Sequence, residues 1–184
     1  MATVNYMKQK TQTGGAMHAV AKYCMDEEKT LPHLITGINC SAQNPFRDFM
    51  TTKNTYGKTG DTMFYHYTQG FHPSENLSPE QVHEVGCAYA ARAFPGHEVL
   101  VTTHINTHAR HNHFVVNSVS FETGMKLHYT PTSLEALRAV SDEVCREFGL
   151  SVLDKYKSGK NHGMNNREYR AGLRGNSWKS FVNA

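Results

Sequence analysis

Three histidines near the middle of the chain have the residue type and spacing to bind a metal ion. His111 and His113 stand two positions apart at the start of an apolar run, and on a strand such side chains point to the same face. The run 98–104 is also a strand candidate, so a hairpin would place His104 beside His111. Three converging imidazoles leave coordination positions open, as catalytic metal sites do. Since the chain has 12 histidines, chance clustering is the alternative, and His108 in the turn is expected to be solvated or to support the ligands.

Imidazole ligands restrict the ion and the chemistry that such a site would support. Histidine-rich, three-ligand sites suit Mn, Zn, Co, Ni or Fe better than Mg, which prefers oxygen ligands. An ion of this kind can polarise a phosphoryl oxygen and stabilise the charge of an in-line displacement. A small-molecule oxygenase is disfavoured, because those sites usually need a carboxylate and none lies within 104–113.

A nucleophile for this chemistry is available in Tyr23, which lies in a predicted helix after the N-terminal segment. A tyrosine can attack a phosphodiester and hold the product as a phosphotyrosine, which divides one exchange into two reversible steps. Its phenol, with a pKa near 10, needs activation by the metal or a nearby base. Spacing alone does not select Tyr23 from the nine tyrosines, and its place on the apolar helix face leaves a core role open.

Composition is typical of one globular domain with a substantial core. The 184 residues are 39% hydrophobic and 19% charged, and no apolar run reaches membrane-spanning length. The N-terminus lacks the apolar stretch of a signal peptide. The four cysteines form no Cys-x-x-Cys pair, which indicates reduced core thiols and a cytosolic protein rather than a disulfide framework.

Positive charge is concentrated in the last 31 residues. Residues 154–184 contain seven lysines and arginines against two acidic residues, a net charge of +5. Aromatic residues are interleaved with these cations, a composition that suits phosphate contacts and base stacking. The alternative is a solvated tail. The candidate DNA-binding residues are Lys155, Lys157, Lys160, Arg167, Arg170, Arg174 and Trp178.

Hydrophobic periodicity and turn residues predict alternating strands and helices. Capping patterns at Asn44-Pro45, 78–81 and 132–135 mark helix starts. The fold class expected is α/β (α+β), with a largely antiparallel sheet of about five strands flanked by helices. Strands are predicted at 2–8, 31–40, 62–70, 98–104 and 112–121, with a short addition at 125–128, and helices at 14–25, 45–57, 78–94 and 132–149.

The motifs together resemble a known family. The stretch His104-x-Asn-Thr-x-x-x-His111-Asn-His113-Phe-Val-Val-Asn-Ser118 looks like the third motif of conjugative relaxases, the mobilisation nucleases of the HUH endonuclease superfamily. The segment 23–30 resembles the first motif, which holds the nucleophilic tyrosine in many members. The stretch 65–81 resembles the strand and helix between these motifs, and 176–180 fits members from integrative elements.

The resemblance implies an HUH-like fold and a DNA-nicking activity at an origin of transfer. It assigns a divalent metal, Mn or Mg in function with Zn, Co or Ni also able to bind, to His104, His111 and His113. It assigns the nucleophile to Tyr23, with His18 as the alternative. The implied partners are origin DNA (a hairpin plus single strand) and accessory relaxosome and coupling proteins, in the bacterial cytoplasm without membrane insertion. Residues 1–153 would form the catalytic domain, and 154–184 the start of a longer region.

Two departures from the family pattern concern the support of the metal ligands. Many members have Asp at the position of Asn106 and His at that of Ala109, whereas this chain has His108 one place earlier. A missing carboxylate removes a residue that could orient an imidazole or act as a base. Glu75 and Glu98 are the candidates to replace it. The alternatives in function are a rolling-circle replication initiator and a DNA-binding module with a structural metal.

Overall fold

The computed structural model describes residues 2–107 and 109–152, which form a five-stranded antiparallel sheet with helices on both faces. The strand order is β1-β3-β5-β4-β2, and every pair of neighbours is antiparallel. The expected α/β (α+β) class with about five strands is thereby confirmed. The strands are β1 (Ala2–Tyr6), β2 (Ile35–Ile38), β3 (Phe64–Phe71), β4 (Val99–His104) and β5 (His111–Asn117).

Side-chain caps start the four helices. Asn44 accepts from the backbone N–H of Arg47, and Ser78 forms a reciprocal capping box with Gln81, as their sequence patterns predict. None of the helices in the described part of the chain is long and apolar enough to cross a bilayer. The helices are α1 (Gly14–Cys24), α2 (Pro45–Thr55), α3 (Pro79–Ala93) and α4 (Pro131–Glu147).

Three local predictions are wrong. The last helix does not begin at a 132–135 capping box, since Thr130 caps it with Ser133 and Pro131 occupies the first helical position, where proline fits. The stretch 125–128 makes only an isolated bridge, between Val119 and Lys126. The predicted strand 31–40 is shortened because Pro32 starts a 3-10 turn, which leaves only β2 in the sheet.

The sheet separates two cores, and the alternation of its strands decides which side chain enters each. One core contains Met17 of α1, Phe49 of α2, Leu100 of β4 and Val115 of β5. The other lies under α3 and α4 and includes Phe114. Because neighbouring residues of a strand face opposite sides, the side chains of His104, His111 and His113 share the α1 face.

A buried polar chain crosses the α3 side of the sheet at Asn112. The Asn112 amide donates to Gln69 Oε1 at 3.1 Å and to the Val82 carbonyl at 2.8 Å, and its oxygen accepts from Thr103 Oγ1 at 2.7 Å. Thr103 Oγ1 lies 2.8 Å from Nδ1 of His83. Three hydrogen-bonding partners therefore hold Asn112, the residue between His111 and His113, in one position.

Candidate metal centre and nucleophile

The β4–β5 hairpin brings three imidazoles to one point. His104 pairs directly with His111 in the ladder, and His113 follows two residues later on the same face. One ligand atom from each ring lies within 4.8 Å of the others, and the His104 and His113 ring centres are 4.2 Å apart. His104 and His113 are buried, and His111 is half-buried at the rim. The cluster can therefore receive an ion from solvent at one side.

Each of the three rings has a partner for one of its two nitrogens. His104 Nε2 lies 2.9 Å from the Cys24 carbonyl, at the C-terminus of α1 where helical carbonyls lack intrahelical partners. His111 Nδ1 lies 3.1 Å from the Ala109 carbonyl. His113 Nδ1 lies 2.8 Å from Nε2 of His66. Partners of this kind orient ligating histidines in metal sites.

The other nitrogen of each ring has no hydrogen-bond partner among residues 2–107 and 109–152. These nitrogens are Nδ1 of His104, Nε2 of His111 and Nε2 of His113. The last of them is buried and has no hydrogen-bond partner within the described residues, although buried polar atoms are rarely left without one. An ion bound between the rings would satisfy it, so the residues present fit a divalent metal with an imidazole donor set.

Burial lowers the pKa of His104, His113 and His66 and so favours their neutral form, which is the form that binds metals. Desolvation, together with the smaller effects of the neighbouring rings of His104, His66 and His111, lowers the pKa of His113 to about 2. Desolvation, followed by the influence of His104, lowers the pKa of His66 to about 4. The pKa of His104 is also lowered by burial, against an opposing effect of its bond to the Cys24 carbonyl.

A second group of donor atoms, from Cys24, His66 and His113, lies behind the first. Two nitrogens bound to one tetrahedral zinc at about 2.0–2.1 Å lie roughly 3.3 Å apart. His66 Nε2 and His113 Nδ1 are separated by 2.8 Å, which is the length of a hydrogen bond. Burial also raises the pKa of the Cys24 thiol to about 12. This group therefore supports the site and does not form a second one.

Tyr23 lies beside the three imidazoles, near the end of α1. Its ring centre is 5.8 Å from that of His104 and 6.0 Å from that of His113. The side chain is 49% exposed, so the core role that its helical position allowed is wrong. The structure thus brings the predicted nucleophile and the predicted ligands together with the phenol open to solvent.

Lys29, which sequence reasoning missed, covers the ring of Tyr23. Its ammonium lies 4.0 Å from the ring centre, the geometry of a cation–π contact, and 2.6 Å from the Asp26 carboxylate. Its carbonyl accepts from the backbone N–H of Ile105 at 2.8 Å. The loop after α1 is therefore tied to the end of β4, and the positive charge of Lys29 is held at the predicted nucleophile.

A cleft of about 850 Å³ opens beside Tyr23. Lys22, Lys29 and Phe46 are among its lining residues. His18 lines the same cleft, but its ring packs edge-on against Phe46 at 5.0 Å, five helix positions from Tyr23. Five positions correspond to roughly 140° around a helix, so His18 and Tyr23 point in different directions.

The other predicted residues that the structure describes, Asn106, Glu75 and Glu98, lie apart from the three ligands. Asn106 is exposed in the hairpin turn, and the Glu75 carboxylate accepts from the Ser151 hydroxyl. Glu98 is buried at the opposite end of β4 from His104, roughly 20 Å away at about 3.3 Å per residue, and accepts from the Asn117 amide at 2.5 Å. Glu98 is therefore too distant to orient the ligands. His108 and the candidate DNA-binding residues from Lys155 to Trp178 lie outside the described residues.

His66 is the other residue that sequence reasoning missed. It lies between the buried Tyr65 and Tyr67, so it faces the side of β3 opposite to theirs. That alternation was visible in the sequence. The contact with His113 follows only from the pairing of β3 with β5, which joins residues 47 positions apart.

The resemblance to relaxases implies an antiparallel sheet that holds three histidines beside a tyrosine, and the structure has this arrangement. Comparisons with known proteins point to the same family. The model of the MobA/VirD2-like relaxase nuclease domain matches residues 23–150, beginning at Tyr23 itself. Protein rlx of Staphylococcus aureus is 35% identical over 120 residues, which are 65% of this chain and 38% of that protein. The group II intron-interrupted relaxase LtrB of Lactococcus lactis subsp. cremoris is 27% identical over 112 residues, covering 53% of this chain and 20% of LtrB.

The chain belongs to the MobA/VirD2-like relaxase family, over the range of its nuclease domain. The expected relationship to relaxases is thereby confirmed. The match spans little more than a third of the length of the rlx protein and a fifth of LtrB.

Proposed function

We propose that this domain nicks one strand of DNA at an origin of transfer and holds the cleaved end as a 5′-phosphotyrosine on Tyr23. The observation that supports the proposal is the convergence of three imidazoles beside an exposed tyrosine, each imidazole having one nitrogen without a hydrogen-bond partner among the described residues. Structural metal sites are usually closed by four protein ligands, whereas three ligands leave a position for substrate. The arrangement therefore favours catalysis over a purely structural metal.

A divalent ion held by His104, His111 and His113 would polarise the scissile phosphate, and Mn²⁺ or Mg²⁺ is the expected ion in function, with Zn²⁺, Co²⁺ or Ni²⁺ able to replace it. The Tyr23 phenol gives up its proton and its oxygen attacks phosphorus. The new P–O bond replaces the bond to the 3′-oxygen, which takes up a proton and leaves as a hydroxyl. One phosphodiester is exchanged for another, so the step is reversible. Lys29 contributes positive charge where the phosphate enters.

The wider proposal concerns substrate and partners. Origin DNA, as a hairpin with an adjacent single strand, would be bound in the bacterial cytoplasm, with accessory relaxosome and coupling proteins acting on the same complex. Residues 1–153 would form the catalytic domain. The basic residues of 154–184 would contribute phosphate contacts, and Trp178 base stacking.

The test is a covalent adduct assay. Fluorescent single-stranded oligonucleotides that tile the candidate origin are incubated with the full chain and Mn²⁺, and the products are separated on denaturing gels. Wild type is expected to form a protein–DNA adduct and Tyr23→Phe none. Tyr56→Phe, which removes the hydroxyl of another exposed tyrosine, should react like wild type.

Three outcomes would contradict parts of the proposal. An adduct with Tyr23→Phe that disappears with His18→Ala would move the nucleophile to His18. Tight binding without cleavage of any oligonucleotide would favour the DNA-binding module. Cleavage confined to a replication origin would identify a rolling-circle initiator.

A further inference from the structure

A chain of hydrogen bonds runs from the metal-facing ring of His113 to the half-buried side chain of Gln9. His113 Nδ1 lies 2.8 Å from His66 Nε2, and His66 Nδ1 lies 3.2 Å from the Gln9 amide nitrogen. That nitrogen also donates to the Met7 carbonyl at 3.1 Å, which fixes the orientation of the amide. The chain therefore has a direction that can be followed bond by bond.

The direction of these hydrogen bonds places the His113 proton on Nε2, the nitrogen that would have to bind the metal ion. The Gln9 amide donates, so Nδ1 of a neutral His66 accepts, and the proton of His66 is on Nε2. That proton is donated to Nδ1 of His113, whose own proton must then be on Nε2. Nε2 is the buried atom that faces the other two ligands and has no partner in the described structure. An ion can bind there only when the proton is on Nδ1.

We infer that His66 is a positioning residue that sets the tautomer of His113, and that binding of a divalent ion reverses the whole chain. This inference rests on the proposed metal site. In the reversed chain His113 Nδ1–H donates to His66 Nε2, and His66 Nδ1–H donates to the oxygen of a turned Gln9 amide. Each ring keeps one proton, which moves from Nε2 to Nδ1, so no net proton is released.

The surroundings of His66 suit this role. The ring is buried and stacks on that of His113 with a centre distance of 5.1 Å and an interplanar angle of 29°. The Cys24 sulfur lies 3.8 Å from Nε2 on another side. His66 thus provides the orientation that a carboxylate often provides to ligating histidines, while Asn106 is exposed in the turn.

Gln9 offers a gain-of-binding test, because Gln9→Glu replaces the donor by an acceptor. A carboxylate at position 9 accepts from His66 Nδ1–H and so favours the metal-binding tautomers of both rings. Binding of Co²⁺ alone to the metal-free full chain is followed by calorimetry and by the visible spectrum of the ion. Gln9→Glu is expected to bind Co²⁺ roughly tenfold more tightly than wild type. Thr11→Glu adds the same charge at an exposed position nearby and is expected to change the affinity much less.

Two further measurements complete the test. His66→Leu is expected to weaken Co²⁺ binding by about 10–100-fold, with circular dichroism to establish folding. Nitrogen-15 spectra of the histidine rings should place the His66 proton on Nε2 without metal and on Nδ1 with Zn²⁺. Equal affinity of Gln9→Glu and Thr11→Glu, or a His66 proton that stays on Nε2 with Zn²⁺ bound, would overturn the inference alone. A folded wild type that binds no Co²⁺ would overturn the proposed metal site and the inference with it.

Discussion

Gly86 of α3 lies where the helix crosses Asn112. Alanine usually stabilises a helix relative to glycine, but at this position we expect Gly86→Ala to destabilise the fold. A Cβ atom at position 86 would lie 2.7 Å from Cγ of Asn112 and closer still to the amide nitrogen. Asn112 cannot move aside freely, because Gln69, Val82 and Thr103 hold its amide on three sides. Either the helix shifts away from the sheet or these hydrogen bonds break.

The size of the effect follows from three contributions. Overpacking a core costs about 1–3 kcal/mol, and a buried polar group left without a partner costs about 1–3 kcal/mol. Alanine is favoured over glycine in a helix by up to about 1 kcal/mol, which acts in the opposite direction. We expect Gly86→Ala to lower the free energy of unfolding by about 2–4 kcal/mol. For a domain of this size the melting temperature should fall by roughly 5–15 °C.

Urea denaturation followed by circular dichroism measures the change, and Gly15→Ala is the matched control. A Cβ at position 15 of α1 has its nearest neighbour at 3.9 Å, so that variant should be as stable as wild type or slightly more stable. In an Asn112→Ala background Gly86→Ala should cost little, because the colliding amide is gone. A Gly86→Ala protein as stable as wild type, or an unchanged cost in that background, would refute the reasoning.

Substitutions at two other positions, Lys53 and Lys29, give further tests. Burial lowers the pKa of Lys53 from about 10.5 in the unfolded chain to about 8 in the folded protein. The folded state is therefore destabilised most below pH 8, where Lys53 is protonated in both states, and the penalty disappears as the pH approaches 10.5. Lys53→Met should therefore raise the free energy of unfolding by about 1–3 kcal/mol below pH 8, and this advantage should fade between pH 8 and 10.5; urea titrations at pH 7 and 10.5 that give equal differences would contradict it. Lys29→Met should slow formation of the DNA adduct roughly tenfold while Lys29→Arg retains most of the rate, and single-turnover rates that are the same in all three proteins would exclude a role for Lys29.

Local patterns were enough to place most helices and strands. Asn44 and Ser78 cap their helices as predicted, because a cap and its partner are separated by only three residues. The 132–135 segment matches the usual Ser/Thr-x-x-Glu pattern and so predicts the N-cap of α4 two residues too late, since the pair in use is Thr130 with Ser133. When two overlapping capping patterns are present, the local sequence alone does not show which of them starts the helix.

The ligands of the candidate site were accessible from sequence for the same reason, as His104, His111 and His113 lie within one hairpin. Their supports were not, because each comes from a distant segment. The Cys24 carbonyl is 80 positions from His104 in the sequence. Since every residue has a backbone carbonyl, the residue type at position 24 does not predict this contact. Predicting the contact between His66 and His113 requires knowing which strand lies beside β5, and hydrophobic alternation alone does not specify the strand order.

The bond between His104 and the Cys24 carbonyl joins a candidate ligand to the residue that follows Tyr23, the proposed nucleophile. A metal ion that fixes the His104 ring would also restrain the last turn of α1 through this bond. In the same way, a DNA strand that orders the last turn of α1 would restrain the ring. By thermodynamic reciprocity, an ion that tightens the binding of a strand at Tyr23 must itself be bound more tightly when the strand is present. Metal and DNA are therefore expected to bind cooperatively, and the two ligands would share one coupling free energy through a single carbonyl oxygen.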